Sequence, residues 1–517
     1  MYKCRQKLDD MAWDQHDAEV EESRKRMLET SFRLQVRALV RDRCGQSAKL
    51  VGTITAGYNF LYKIRFPVEG DMEPRPPLLL RAPWPSAVRF PGERTLYEAA
   101  TLEYLRLNTR VPVPRVLCSA RESEVGPMLI MHLVDTLATM TELLKKQGRD
   151  PDLTPVLSPD LPEGKLRSLC GKMASIMLEL AKPSFPRIGS LLQADDGSIQ
   201  VAGRPLTHNM NTMTRIAHIP PAVFPAEGKT FATADEWYLE LSRMHLAQLV
   251  FQHNDLVAGE DDCRNKYVAR QLFRDLARRG LLSTFGFAQD DWSAAARDSG
   301  RPRIHVPDGK GGFRLWCDDF RPTNVLVRDG PDGEVEVAAA IDWEFAYAAP
   351  AQFALDPPWW LLFEQPEMWL PSGVDEWSRA YEGHLETWLR AVEEQEEKKD
   401  ADSSSAGFLG GVPLSAHMRE SWETGRFWLN YAARKSWAFD AVFWNFLDER
   451  FFGARGEGVP DEELWKTRVD LLGREEREGM EPFVRRKMEE SRERVLVEWE
   501  PDEASRRLSE LLFDHNA

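Results

Sequence analysis

The stretch that decides the fold is LWCDDFRPTNVLV at 315–327, together with IDWE at 341–344. It carries an acid at Asp319, an amide at Asn324, and a second acid at Asp342. Apolar residues flank these polar groups, which predicts a loop held between buried strands. Phosphoryl transfer uses the same three kinds of side chain: one carboxylate orients the attacking hydroxyl, while an amide and a second carboxylate hold Mg²⁺ on the nucleotide phosphates. A phosphotransferase is therefore the first hypothesis.

The length and charge of the chain narrow the classes of protein. With 517 residues, two or three lobes are expected. A net charge of -16 argues against binding of nucleic acid or anionic membranes, which require a basic face. The sequence has no apolar run long enough to span a membrane, no apolar signal region in MYKCRQKLDDMAWDQ, and six scattered cysteines without a CxxC pair. We therefore expect a cytoplasmic protein.

The pattern along the chain predicts three regions. Residues 1–45 are charged and predict an N-terminal helical extension. Residues 46–135 predict a small lobe: KLVGTITAGYNFLYKIRF alternates as two strands around a glycine loop, LLLRA and MLIMHLV are buried strands, and ERTLYEAATLEYLRLNT has a helical period. Residues 136–517 predict a mainly helical lobe, with helices at 165–181, 232–251 and 262–280 and the catalytic loop at 315–344.

Two further features belong to the helical region. EEQEEKKDADSSSAG at 393–407 is charged and then rich in serine, which predicts a disordered loop. The tail is rich in tryptophan, and these side chains are either core or an aromatic wall for a cation, with core favoured. The residues concerned are Trp359, Trp360, Trp369, Trp428, Trp437 and Trp444.

The D-x-x-P-x-N loop followed by a hairpin and IDWE, behind a β-rich region, resembles the aminoglycoside phosphotransferase and choline kinase family of small-molecule kinases. The resemblance covers roughly residues 48–370 and includes EAATLEYLRLNTRVPVPRVL. It implies an α+β, protein-kinase-like two-lobed fold with a small β-rich N-lobe and a large, mainly helical C-lobe. It also implies ATP and Mg²⁺ as cofactors and a hydroxylated small molecule as phosphate acceptor.

The resemblance assigns roles within the motif. Asp319 matches the catalytic aspartate, and Asn324 and Asp342 match the metal ligands, which suits the oxygen donors that Mg²⁺ prefers. Each residue also has a structural alternative, since Asp319 could cap a turn, Asn324 could close the loop and Asp342 could cap a strand. Trp343 and Glu344 are expected to be structural.

Two residues depart from the family pattern. Arg81 stands where the family carries a lysine that meets the nucleotide phosphates, with Glu98 as its acidic partner. Arginine offers a fixed charge and a fork of donors, but its geometry is not that of lysine. The alternative is a surface Arg–Glu pair. Cys317 stands where the family has histidine, and we interpret it as a small buried substitute.

The remaining nucleotide-binding residues are predicted from weaker patterns. Gly57, with Asn59 two residues later, fits the loose glycine loop of the family, although a glycine there is equally typical of an ordinary turn. The extended stretch from Met131 to Leu133 is predicted to be the hinge between lobes, where backbone groups would meet adenine.

Other functions remain open. The departures at Arg81 and Cys317 and the sparse glycine loop motivate a catalytically impaired binding or regulatory module on the same fold. A protein kinase is disfavoured because the sequence lacks H-R-D, D-F-G and A-P-E. For an enzyme, the acidic helical tail favours a cationic or polyhydroxylated acceptor.

Overall fold

The N-lobe is built on a five-stranded antiparallel sheet in the order β1-β2-β3-β5-β4. It is seen in a computed structural model that describes residues 8–67, 74–85, 88–150, 153–298, 304–307, 312–330, 333–369, 373–400, 411–456 and 458–513. One helix, α3, begins at Pro91, where the fixed backbone angle of proline suits a first helical turn. The bounds are β1 Lys49–Ala56, β2 Asn59–Arg65, β3 Leu78–Pro83, α3 Pro91–Asn108, β4 Val116–Ala120 and β5 Met128–His132.

Two helices precede this sheet and attach to different parts of the molecule. Helix α2 (Thr30–Cys44) packs against β1 and buries its apolar side with the sheet residues Phe60 and Tyr62. Helix α1 (Asp10–Leu28) instead contacts α6 (His208–Ile216) of the following lobe. The Asp9 side chain caps α1 and accepts hydrogen bonds from Asn254. The N-terminal extension therefore bridges the two lobes.

The C-lobe is mainly helical, and its largest core cluster runs from α3 through nearly all of its helices. This is the predicted α+β, protein-kinase-like two-lobed fold. In the described ranges, no helix combines the length and apolar character that crossing a bilayer requires. The remaining helices are α4 Met140–Leu144, α5 Glu163–Leu180, α7 Ala234–Phe251, α8 Glu260–Arg278, α9 Ala294–Asp298, α10 Ala351–Ala354, α11 Val374–Asp400, α12 Leu414–Thr424, α13 Arg426–Arg434, α14 Phe439–Val442, α15 Asp448–Phe452, α16 Arg474–Glu490 and α17 Pro501–Leu512.

Short strands of the C-lobe form three small sheets. Two of them have three strands, in the orders β13-β10-β7 and β12-β11-β6, and β8 and β9 form a hairpin. The predicted hairpin after the catalytic loop is β11–β12. The bounds are β6 Ala138–Thr139, β7 Ser184–Phe185, β8 Ser190–Gln193, β9 Ile199–Gly203, β10 Phe313–Cys317, β11 Val325–Asp329, β12 Val335–Ala340 and β13 Ala346–Pro350.

The predicted loop at 393–407 is wrong in its first part. Helix α11 continues to Asp400, and residues 401–407 lie outside the described residues. The physical reason is an apolar stripe along α11 that packs against α5 and α12. This packing stabilises the helix, and the charged residues that follow the stripe continue the helical conformation. The buried members of the stripe are Trp377, Tyr381, Leu385, Trp388, Leu389 and Val392.

We expect α2 to be a structural part of the N-lobe rather than an appendage. Leu39 of α2 is 4% exposed, so Leu39→Ala should lower the free energy of unfolding by about 2–5 kcal/mol through lost burial and the cavity left behind. Leu34, 54% exposed on the same helix, is the matched control, and Leu34→Ala should change it by less than about 0.5 kcal/mol. Urea titration followed by circular dichroism measures both, and equal effects would contradict this packing role.

Candidate active site

Two loops of the C-lobe meet and bring the motif residues together. The first follows β10 and ends in the 3₁₀ turn Pro322–Asn324, and the second joins β12 to β13. The N–H of Ile341 donates to the carbonyl of Asn324 at 2.9 Å, which fixes one loop on the other. The rings of Phe320 and Trp343 stack across them with centroids 6.0 Å apart. Asp319 and Asn324 therefore share a site with Asp342, although 18 residues separate Asn324 from Asp342 in the chain.

Asp319 lies at the centre of the first loop. Its side chain is 13% exposed and pairs with the Arg321 guanidinium at 2.9 Å. The Asn324 amide donates to the Asp319 carbonyl at 2.8 Å and to its carboxylate at 3.2 Å. Burial raises the pKa of Asp319, against the opposing effects of Arg321 and Asn324. A carboxylate with a raised pKa is a better proton acceptor, which suits a general base.

Asp342 has a strained backbone, with φ of +67° in a region that non-glycine residues rarely adopt. Such strain is typical of functional loops. The Asp342 side chain is 28% exposed, whereas those of Glu98 and Glu344 are 4% exposed. Burial and the nearby charge of Glu344 raise its pKa, and Arg81 opposes that shift.

The donor set at these loops fits Mg²⁺. Asn324 directs its NH₂ group to Asp319, which leaves its amide oxygen for another partner. Asp342 uses one carboxylate oxygen for Arg81. Two oxygen donors from separate loops, completed by water and phosphate, match the way Mg²⁺ is usually held. Among the described residues, no cluster of three or more His, Cys, Asp or Glu side chains suits a metal ion.

Arg81, on β3, is the centre of a buried charge cluster. Its side chain is 8% exposed, which excludes the surface pair considered from the sequence. It donates to the predicted partner Glu98 and also, at 2.6 Å each, to Asp342 and Glu344. The three carboxylates outweigh the effect of burial and raise the pKa of Arg81. Its donors are therefore directed to acids of both lobes rather than into an open phosphate site.

Glu344 joins the same cluster through a second arginine. Arg94 of α3 pairs with it, and the Asn59 amide donates to it at 3.3 Å. Burial works against ionisation of Glu344, but Arg94 and Arg81 together lower its pKa. Asn59, predicted to serve the nucleotide, thus contacts the acid that was assigned a structural role. Arg94 was missed, although its position four residues before Glu98 on one helix is a pairing signal.

The glycine turn between β1 and β2 rests on the C-lobe. Gly57 adopts φ of +44°, and a Cβ there would meet nothing within 4 Å, so the backbone angle favours glycine rather than any close approach. The next residue, Tyr58, contacts Phe345 edge to face with ring centroids 6.2 Å apart. Its hydroxyl lies 3.3 Å from Nε2 of His208. Tyr58 is a further residue of the site that the sequence did not single out.

The predicted hinge overlaps the end of β5, which contains Met131 and His132, and only Leu133 follows the strand. Met131 is buried, and the N–H of Leu133 donates to the Pro77 carbonyl at 2.9 Å. The N–H of Leu133 is therefore already used within the protein.

Cys317 is buried at the end of β10, directly before the loop that carries Asp319 and Asn324. Burial raises the pKa of its thiol well above the usual range, which keeps the sulfur protonated. The thiol lies 3.9 Å from the carbonyl of Asp342, to which it donates. It therefore supports the backbone of Asp342 and is unsuited to act as a nucleophile.

Comparisons with known proteins give structural matches only. No family model matches the sequence, and neither does any curated protein. A thermostable mutant of the aminoglycoside phosphotransferase APH(4)-Ia, in a complex with AMP-PNP and hygromycin B, is 15% identical with a TM-score of 0.35, covering 87% of this chain and 98% of that one. A mutant aminoglycoside 2'-phosphotransferase-IIIa in a GDP complex is 12% identical with a TM-score of 0.36, covering 80% and 94%.

The structure is thus similar to members of the family that the motifs resemble. APH(2'')-IIIa in its GDP and kanamycin complex is a third such match, 14% identical with a TM-score of 0.35. At these identities and TM-scores the matches carry no argument about the activity of this chain. The function has to be inferred from the chain's own residues.

We expect Arg81 to be essential for the stability of the site. Arg81→Met leaves three buried carboxylates with one guanidinium fewer, and removing one partner of a buried ion pair costs about 3–5 kcal/mol of unfolding free energy. Arg24, an exposed arginine paired with Glu21 on α1, is the matched control, and Arg24→Met should leave the stability nearly unchanged. Chemical denaturation measures both variants. Similar losses would contradict a special role for the buried cluster.

Proposed function

We propose that the protein is an ATP- and Mg²⁺-dependent phosphotransferase that acts on a hydroxyl of a small molecule. The observation that carries this proposal is the meeting of Asp319 and Asn324 with Asp342 at the junction of two loops that pack on each other. In the proposed mechanism Asp319 orients the acceptor hydroxyl and takes its proton as the phosphoryl group is transferred.

Asn324 and Asp342 would hold the metal through one oxygen each. Mg²⁺ would neutralise charge on the transferred phosphoryl group when it is bound. Three carboxylates of the cluster face only two guanidinium groups, so the surroundings of Asp342 favour a cation. Arg81 would act by holding Asp342 in position. Gly57, Met131 and Leu133 are the residues we propose to line the nucleotide site.

A cavity of about 760 Å³ beside the catalytic loop supports a small-molecule acceptor. Arg321, Pro322 and Thr323 of that loop form part of its wall, and Tyr58 of the glycine turn lines it as well. Its volume is within the range of about 300–1,000 Å³ that is usual for small-molecule sites. Arg321 of this wall pairs with Asp319 at 2.9 Å, so an acceptor held there would lie on the far side of Arg321 from Asp319.

One observation favours a second function, a module that binds nucleotide without transferring phosphate. Arg81 occupies one oxygen of Asp342, which is the residue proposed to bind the metal. If that ion pair persists with nucleotide bound, Asp342 would have only its other oxygen for Mg²⁺. Transfer would then be impaired while binding remained. The two functions differ in whether a bound nucleotide is turned over.

The first test is thermal stabilisation by ATP with and without Mg²⁺. A ligand at a hundredfold excess over its dissociation constant stabilises the native state by about 2.7 kcal/mol. We expect a Mg²⁺-dependent upward shift in melting temperature for the natural protein and its loss in Asp342→Asn. Asp329, an exposed residue at the end of β11, gives the control Asp329→Asn, which should keep the shift. No shift with millimolar ATP and Mg²⁺ would contradict the proposal.

The same shift should depend on pH. Metal binding requires the ionised carboxylate, and the raised pKa of Asp342 leaves more of it protonated under mildly acidic conditions. An ordinary aspartate, with a pKa of about 3.9, is fully ionised by pH 6. We therefore expect a smaller Mg²⁺-dependent shift at pH 5.5 than at pH 8. A shift that is equal at both values would contradict the metal role of Asp342.

Catalysis can be tested before the acceptor is known, with water in its place. We expect slow hydrolysis of ATP, and a reduction of about 10²–10⁴-fold in Asp319→Asn, since general bases contribute about that factor. Mg²⁺-dependent ATP stabilisation should persist in this variant, and Asp329→Asn serves as the control for both measurements. Binding without hydrolysis in the natural protein would favour the binding module. Hydrolysis undiminished in Asp319→Asn would remove Asp319 from the mechanism.

A further inference from the structure

The cavity beside the catalytic loop has an aromatic wall. Four tryptophans and a phenylalanine of the C-lobe line it, and Trp13 of α1 is a fifth tryptophan. Several residues of the tryptophan-rich tail, for which a core role was favoured, therefore also face this space. Trp359, Trp360 and Trp444 are buried, which means that the wall is rigid and apolar. Helix α1 closes part of the cavity with Trp13 and the preceding Leu8. The aromatic wall consists of Trp359, Trp360, Phe363, Trp437 and Trp444.

Two segments of this wall have unusual backbone conformations. Phe363 adopts φ of +65°, a strained value for a bulky residue. Phe443–Leu447 forms a π-helical turn, and two of its residues, Trp444 and Asn445, line the cavity. Among the described residues the Nε1–H of Trp444 is buried without a hydrogen-bond partner. Backbone strain and π-helical turns are typical of binding sites rather than of ordinary core.

Three of the four acidic side chains that line the cavity already have partners, and the fourth, Asp461, is exposed to solvent. Asp262 pairs with Lys266. Asp440 pairs with Arg270, which also donates to its second carboxylate oxygen at 3.2 Å. Glu367 accepts a hydrogen bond from the Tyr431 hydroxyl at 2.6 Å and its pKa is raised by burial. These acids offer little to a cationic acceptor such as an amino sugar.

The basic side chains of the cavity differ from one another. Arg321 pairs with Asp319, Arg455 pairs with Asp448 and Glu449, and Lys266 is held by Asp262. The exception is Lys435, just past the end of α13. For this ammonium group the described residues provide neither an ion pair nor a hydrogen bond.

Lys435 lies in the electric field of the catalytic loop. The charges of Asp318, Glu367 and Asp319 act on it, and it acts in turn on Asp319. Burial lowers the pKa of Lys435, these acids oppose that shift, and none of them occupies its donors. An ammonium group with three unused donors in a partly buried cavity is a site for an anion.

We propose that the cavity takes a hydroxylated small molecule with a flat apolar body and a carboxylate, and that Lys435 binds the carboxylate; this rests on the phosphotransferase function proposed above. The aromatic wall binds the flat body, and the hydroxyl is presented to Asp319. The acceptor class thus differs from the cationic one favoured by the acidic composition of the tail. The net charge of a region is a poor guide here because three of the four cavity acids have their own partners.

The test uses three probes with the same phenol ring and different charge. These are para-hydroxyphenylacetate, which is anionic, tyrosol, which is neutral, and tyramine, which is cationic. Each is titrated into the full chain without nucleotide and followed by calorimetry. We expect the anion to bind about tenfold or more tightly than the other two, because charge-assisted hydrogen bonds are the stronger ones. Lys435→Met should remove this preference, leaving the three affinities within about twofold.

Two further variants separate the parts of the proposal. Lys165 is an exposed lysine of α5 that does not line the cavity, and Lys165→Met should retain the preference for the anion. Trp437→Ala should weaken all three probes alike, since it removes part of the wall and no charge. Thermal melting of each variant checks that the fold is kept.

Several results would overturn the proposal. They are tighter binding of tyramine than of the anion, an anion preference that survives Lys435→Met, binding unaffected by Trp437→Ala, and no binding of any probe. Loss of ATP stabilisation in Lys435→Met with unchanged probe binding would assign the ammonium to the nucleotide phosphates instead. Because the titrations contain no nucleotide, a failure here is distinguishable from a failure of the phosphotransferase function, which ATP stabilisation and hydrolysis report.

Discussion

The arrangement of the site depends on one buried guanidinium, that of Arg81. It extends from the N-lobe sheet to an acid of α3 and to two acids of the IDWE loop, so a single side chain ties three segments together. Buried ion pairs give little net stability, because desolvation offsets their attraction. Their geometric demand is strict, since every charge needs its partner. The cluster therefore fixes how the two lobes face each other, and through Asp342 it fixes the candidate metal site.

Much of this could be predicted from local sequence patterns. Alternation marked β1 and β2, an apolar helical period marked α3, and the pattern between Asn324 and IDWE marked the β11–β12 hairpin. The catalytic loop was recognisable because its polar residues lie close together in the chain between apolar strands. The pairing of Arg81 with Glu98 followed from the family resemblance. Each of these features depends on neighbours in sequence or on a short motif, which is why they could be recognised.

The rest depends on contacts between distant parts of the chain. Arg81 is 261 residues from Asp342 and 263 from Glu344 in the sequence, and no local pattern predicts either contact. Lys435 reaches the cavity only through the packing of α13. Helix α11 was predicted to end too early, because the charged composition near its end suggested disorder. An apolar stripe earlier in the helix packs on the C-lobe, and the helix continues to Asp400. Composition describes a segment in isolation, whereas packing decides its conformation.

The corner between α1 and α2 has a mechanical consequence. One residue, Glu29, separates the two helices. Beyond it α2 packs against the N-lobe sheet, whereas α1 packs against α6 of the C-lobe, and its Trp13 lines the cavity. If the angle between the lobes changes, the chain must bend at Glu29 or α1 must move relative to the cavity. The position of α1 at the cavity is thus tied through Glu29 to the orientation of the N-lobe sheet.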